Sequence, residues 1–183
     1  MRNKTTIFEN GFIRVESQMD NGRELITFDR RKTQTGAIVV PIMEDGRIAL
    51  IEEYRHGAGK NVIGIVKGAA DRVDESATEV AARELKEELG IEAAELVETN
   101  INVYALPSLT ATNGRVVFAY GCRVTSEPEL EPDEQVSLIE PVSVGKLVSM
   151  LRQGDINDGE SVLALQAYVL DLITIEGEGT DDQ

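Results

Sequence analysis

Apolar residues come in short runs separated by turn-forming residues over residues 12–55 and 96–124, a pattern that predicts strands. Phe12, Ile13 and Val15, then Leu25, Ile26 and Phe28, flank the turn DNGRE and predict an N-terminal antiparallel hairpin. The continuous run AIVVPIM, the turn EDGR and the run IALIEEYR predict a second, more buried hairpin. Further along, VETNINVYALP and RVVFAYGCRV read as two strands joined by SLTATNG. Between residues 76 and 90 the spacing becomes helical, with Ala81, Ala82, Leu85 and Leu89 as an apolar stripe. Ser76 and Glu79 form a capping box at its start, and Gly90 is placed to end it. Two more amphipathic segments, about 143–153 and about 158–175, have helical spacing. TSEPELEPDEQ collects charge and proline and reads as a loop.

The helix at 76–90 carries an imbalance of charge. Glu84, Glu87 and Glu88 stand at i, i+3 and i+4, so one helix face holds all three. Arg83 can serve Glu79 and Glu87, whereas the helical neighbours of Glu84 and Glu88 include no Lys or Arg. Like charges so close destabilise a helix unless something offsets them. The simplest offset is a hard divalent cation, Mg2+ or Mn2+, which prefers carboxylate oxygens and keeps sites open for water and phosphate. A solvated acidic face is the competing reading of the fragment ELKEEL taken alone.

Composition narrows the choice. The 183 residues are 42% hydrophobic, ample for one compact core with small additions. A formal charge of -15 lacks the basic footprint needed to bind nucleic acid along its backbone. An acidic protein that handles phosphates must therefore bring cations of its own. A single cysteine, Cys122, excludes an intramolecular disulfide, suits a reducing cytoplasm, and sits in an apolar run that predicts a buried structural thiol. No apolar stretch is long enough to span a bilayer, and the polar start lacks the core of a signal peptide. The expected protein is soluble and cytoplasmic.

Residues 68–91, GAADRVDESATEVAARELKEELGI, resemble the Nudix signature, in which Gly, five residues, Glu and seven residues precede REUxEExGU, U being a bulky aliphatic residue. From Arg83 to Ile91 nine of nine positions fit, and Glu75 has the required spacing. The first half departs from the pattern. Ala69 falls where the family has Gly, Gly68 restores the Gly at a gap of six, and Asp74 replaces a second Gly. The order of hairpin, GRE turn, DR pair, GAIVVPI strand and EDGRIALIEEYR also resembles the ADP-ribose pyrophosphatase group and a neighbouring group acting on ADP-containing compounds, dinucleoside polyphosphates and NADH among them. In the latter KG precedes the box, as in GIVKG here.

The resemblance implies an α/β fold, a Nudix α/β/α sandwich with a mixed sheet and an N-terminal antiparallel hairpin extension. It implies a dimerising hairpin over 1–35, a hydrolase domain over 36–176 and, from composition, a disordered acidic tail over 177–183. It assigns metal binding, two or three ions per site, to Glu84, Glu87 and Glu88. Catalysis falls to Glu84 and Glu88 with Glu134 as a loop base, and substrate binding to Arg55 and Arg30, the latter reaching toward a partner's site. Gly68, Glu75, Arg83 and Gly90 complete the box in supporting roles. Lys67 would offer mainly its backbone, since the carbonyl of Lys67 or Gly68 faces the metal in relatives. His56, the lone histidine, is expected at the surface. The expected partners are a small nucleotide substrate and a second copy of the chain. The expected reaction is metal-dependent hydrolysis of a diphosphate linking a nucleoside to a second group. Two alternatives stand beside it: a sugar-nucleotide pyrophosphatase of the GDP-mannose type, and a non-catalytic nucleotide-binding Nudix domain.

Overall fold

The structure is a computed structural model that describes residues 4–130 and 135–178, with side chains described as far as residue 172. The acidic end predicted from residue 177 lies largely beyond the described residues. Strands β1 (Lys4–Glu9), β2 (Ile13–Asp20) and β3 (Arg23–Arg30) form a separate three-stranded antiparallel sheet. The β2–β3 turn is the predicted one. Asn21 and Gly22 both have positive φ, 49° and 79°, the backbone twist a two-residue hairpin requires. Phe12 lies just before β2 and is 82% exposed, and β1, unread in the sequence, extends the hairpin.

The main sheet is built from β4 (Gly36–Met43), β5 (Ile48–Arg55), β6 (Lys60–Gly64), β7 (Lys67–Ala69), β8 (Ile91–Glu92), β9 (Glu95–Val103), β10 (Gly114–Val124) and β11 (Val136–Val142). Its main path runs β11-β5-β4-β10-β8, with β6 on β5, β7 on β4 and β9 on β10. The β4–β10 pair is parallel and its neighbours are antiparallel, which makes the sheet mixed. Three helices accompany it among the described residues: α1 (Ala77–Leu89), α2 (Val144–Gln153) and α3 (Gly159–Glu178).

Strand alternation explains why β4 is apolar throughout. Ile38, Val40 and Ile42 enter one core with Leu147 of α2 and Leu165 and Tyr168 of α3. Ala37 and Val39 enter another, with Val80, Ala81, Leu85 and Leu89 of α1. A strand covered on both faces has no polar side to show. The result is the expected α/β/α sandwich. No helix of the described residues is long and apolar enough to cross a membrane.

Two local expectations are corrected. β4 and β5 pair at Ile42 and Ile48 beside their turn and then diverge, so they form no extended hairpin. β7 occupies the edge of β4 instead, pairing Lys67 with Ile38 and Ala69 with Gly36, which brings the start of the glutamate-rich segment onto the central strand. In α1, Ala82 is exposed and Val80 is buried, because the buried face also takes in Glu84 and Glu88.

Candidate active site

Helix α1 begins where its capping chemistry dictates. The Ser76 hydroxyl accepts from the Glu79 N–H at 3.2 Å, and the Glu79 carboxylate accepts from the Ser76 N–H at 2.8 Å. It stops at Gly90, whose φ of 62° is left-handed and whose Cβ, if present, would strike the Ser126 carbonyl. Between these ends Glu84 and Glu88 are 9% and 7% exposed, and Glu87 is half-buried.

Arg83 is the hub of the segment. Its guanidinium donates to Glu75 at 3.2 Å, Glu84 at 2.7 Å, Glu87 at 3.1 Å and the Ala69 carbonyl at 2.8 Å. This corrects two expectations: Glu84 does have a local cation, and Glu79 belongs to the cap rather than to Arg83. Adjacent residues do not face each other on an ideal helix. Here Glu75 and the Ala69 carbonyl draw the long Arg83 side chain along the helix, and its fork then reaches Glu84. Burial alone would lower the Arg83 pKa, but Glu84 first, then Glu75 and Glu87, hold it above the ordinary arginine value. Glu75 also accepts from the Asp71 N–H at 2.6 Å, which ties down the loop before the helix.

The glycine in question is Gly68. A Cβ built there would fall inside the Glu84 carboxylate, whereas Ala69 carries its methyl group without such conflict. The backbone that lies against the acidic helix is therefore residue 68, with six residues between it and Glu75.

Glu84, Glu87 and Glu88 line a cavity of about 360 Å³ whose other walls include Arg30, Arg55, Lys67 and Arg83. A contiguous cavity of about 200 Å³ shares Arg30, Arg55, Lys67 and Gly68 and extends to Thr112 and Asn113. Arg55 is placed by the end of β5 and pairs with Glu53 at 2.6 Å. Arg30 is placed by the end of β3, in the wall of its own chain's cavity. The neighbouring Asp29 fixes that end by accepting from the Ala111 N–H at 2.9 Å and the Thr110 hydroxyl at 3.3 Å.

Glu53, Asp71 and Glu129 also line the acidic cavity and were missed in the sequence. Glu53 was within reach of inference, since it stands two residues before Arg55 on one strand and so shares its face. Glu129 had no such signal; its N–H donates to the Glu87 carbonyl at 2.7 Å, a contact between a loop and a distant helix. Glu134 lies outside the described residues. His56 is exposed, its ring edge-on to Tyr54, and Cys122 is buried with its thiol directed to the Ala119 carbonyl. The Lys67 side chain is engaged away from the glutamates, with Asp158 at 2.7 Å and Glu160 at 3.2 Å.

The carboxylate set suits a hard divalent ion in donor chemistry, being all oxygen and open to a cavity. Gly68 provides the close backbone approach that such a cradle needs. Among the described residues no three of these groups already converge on one point, because Arg83 holds Glu84 and Glu87. Binding would require the Arg83 guanidinium to release Glu84 and Glu87.

Residues 32–165 match the NUDIX domain family model. The chain is 30% identical over 167 residues to ADP compounds hydrolase NudE of Escherichia coli, covering 89% of this chain and 87% of that protein. It is 31% identical over 100 residues to the ADP-ribose pyrophosphatase of Mycobacterium tuberculosis, covering 54% of this chain and spanning about half, 48%, of that protein. A crystal structure of an ADP compounds hydrolase superposes with a TM-score of 0.75 at 28% identity, over 97% of this chain and 94% of that one. The chain belongs to the Nudix family, as a pyrophosphohydrolase.

Proposed function

We propose that the enzyme hydrolyses the diphosphate of ADP-containing compounds, with ADP-ribose, dinucleoside polyphosphates and NADH as its substrate class. The observation that carries this reading is one cavity with two chemistries: Arg30 and Arg55 on one wall, Glu84, Glu87 and Glu88 on another. Guanidinium groups bind phosphate oxygens bidentately and stay charged at any working pH. The two arginines would fix the diphosphate so that its bridging bond lies over the carboxylates. Glu84, Glu87 and Glu88 are the groups that would hold Mg2+ or Mn2+, two or three ions per site. Such an ion, when bound, offsets charge on the phosphoryl oxygens and makes a bound water more acidic. Gly68 keeps the backbone close enough to Glu84 for that carboxylate to stay in the cradle. Glu134 is the base of this scheme. Water adds to one phosphorus, the bridging P–O bond breaks, and two phosphate-bearing products leave.

The Thr112 and Asn113 side of the cavity, built by the loop between β9 and β10, would receive the group beyond the diphosphate. A homodimer through residues 1–35 is part of the proposal. Ile7, Phe8, Met19 and Ile26 on the small sheet are all about half exposed or more, an apolar surface suited to a second copy. The lone buried thiol fits a reducing compartment, and we assign the enzyme to the cytoplasm.

A magnesium-dependent panel of ADP-ribose, NADH, dinucleoside polyphosphates and GDP-mannose, with products identified, tests the activity. Turnover of ADP compounds supports the reading. GDP-mannose as the sole substrate, or binding without turnover, would replace it by the sugar-nucleotide or the non-catalytic alternative. Light scattering reading a monomer would remove the dimer.

A further inference from the structure

Strand β7 is three residues long, yet it carries the backbone against which Glu84 is seated. Its alternation sends residues 67 and 68 to opposite faces. Gly68 meets α1, while the Lys67 side chain runs to the other layer and meets the first residues of α3. There Nζ donates to Asp158 at 2.7 Å and to Glu160 at 3.2 Å, and the Lys67 side chain is 13% exposed. Asp158 also starts the helix, accepting from the Ser161 N–H at 2.9 Å and the Ser161 hydroxyl at 2.6 Å. Ser161, fully buried, accepts in turn from the Ile65 N–H at 3.1 Å. Gly64 adjoins so closely that a Cβ there would lie 2.6 Å from the Ser161 hydroxyl. The segment from 64 to 69 is thus clamped between α3 on one side and α1 on the other. Burial opposes ionisation of Asp158, but the Lys67 charge and the Ser161 hydrogen bonds hold its carboxyl below the usual range.

We propose that Lys67 is a positioning residue: its ion pair with Asp158 and Glu160 holds the Gly68–Ala69 backbone at the spacing from Glu84 that divalent-ion binding requires. The inference rests on the activity proposed above. Two features separate this contact from ordinary surface pairing. It is largely removed from solvent, where an ion pair is screened least. It also acts one residue from a backbone position with no slack, so a small shift of β7 is transmitted directly to the Glu84 carboxylate.

Full-length wild type, Lys67→Met, Lys67→Arg, Asp158→Asn and the double variant Lys67→Met/Asp158→Asn would be compared. Mn2+ affinity is read by electron paramagnetic resonance of free Mn2+, kcat and KM with ADP-ribose and Mg2+, and folding by thermal unfolding. Asn keeps the helix cap and removes the charge, so Asp158→Asn carries the comparison if Lys67→Met unfolds. Removing such supporting contacts costs about 10–100-fold in metal affinity or activity, so Lys67→Met is expected to bind Mn2+ about tenfold more weakly. Its kcat is expected to fall at least about tenfold, with KM within about twofold, because a misplaced carboxylate acts on the reaction rather than on substrate uptake. Lys67→Arg is expected to restore most of both, and the double variant to be no worse than Lys67→Met.

Unchanged Mn2+ affinity and kcat in folded Lys67→Met, while the wild type is active, would overturn the positioning role alone. A raised KM with kcat and Mn2+ affinity intact would overturn it too, and make Lys67 a substrate contact. Wild type that neither binds Mn2+ nor turns over an ADP compound would refute the proposed activity, and the positioning role with it.

Discussion

Replacing Gly68 with Ala adds one carbon atom, at the point where α1 and β7 touch. The new Cβ would coincide with the space held by the Glu84 carboxylate, and the atoms it meets are Oε1, the carboxyl carbon and Cγ. Non-bonded carbon contacts settle near ~3.5 Å, so Glu84 must withdraw by more than about 1 Å or β7 must move by a similar amount. β7 cannot move freely, being paired with β4 on one edge and tied through Lys67 to α3. Glu84 is therefore the group that yields. A misplacement of about 1 Å in a reacting constellation costs about 100-fold in rate, or about 2.7 kcal/mol of barrier. Overpacking should also lower stability by about 1–3 kcal/mol, less than would unfold a typical domain. Steady-state hydrolysis of ADP-ribose with Mg2+ reads the first quantity and chemical denaturation the second. Gly68→Ala with kcat within about twofold of wild type would refute the assignment of Glu84 to the reaction, since that carboxylate would then have moved without effect.

Glu88→Gln is expected to lower turnover by orders of magnitude with no loss of stability in metal-free protein, because it removes one of two like charges at i and i+4; unchanged turnover in the ADP-ribose assay would sink its role. Arg55→Ala should lower kcat/KM for ADP compounds about 10–100-fold, the worth of a hydrogen bond to a charged group at about 1.5–3 kcal/mol, and full activity would remove the arginine from the substrate site. Burial pushes the Cys122 thiol up from 9.0 to about 11. The folded state thus holds the proton more tightly than the unfolded state. Its contribution is complete below about pH 9 and is lost as pH rises toward 11, amounting to about 2–3 kcal/mol. Denaturation followed from pH 8 to pH 11 should show this loss in wild type and not in Cys122→Ala; identical slopes would refute it.

The sequence was sufficient wherever a structure is decided by neighbours along the chain. Helix α1 begins at Ser76 and ends at Gly90 because the cap hydrogen bonds and the left-handed stop are local, and both can be read from residue types. The β2–β3 turn follows in the same way from Asn21 and Gly22. The spacing of Glu75, Arg83, Glu84, Glu87 and Glu88 marks a candidate site in the sequence, because three carboxylates at helical spacing outnumber the one arginine beside them.

What the sequence could not decide was how groups from different elements share charge and space. Helical offset alone pairs Arg83 with Glu79 and Glu87, yet its fork is directed by Glu75 and the Ala69 carbonyl, which a loop and a strand deliver. Gly68 and Ala69 are not distinguished by the sequence; only the packing of α1 against β7 puts the Glu84 carboxylate where a Cβ at residue 68 would sit. Glu53, Glu129 and the Lys67–Asp158 pair meet only when the sheet and α3 are assembled, across separations that no periodicity encodes. Local hydrogen bonds and hydrophobic spacing determined the elements. Steric exclusion and charge pairing across them, set by packing, decided which residues form the site.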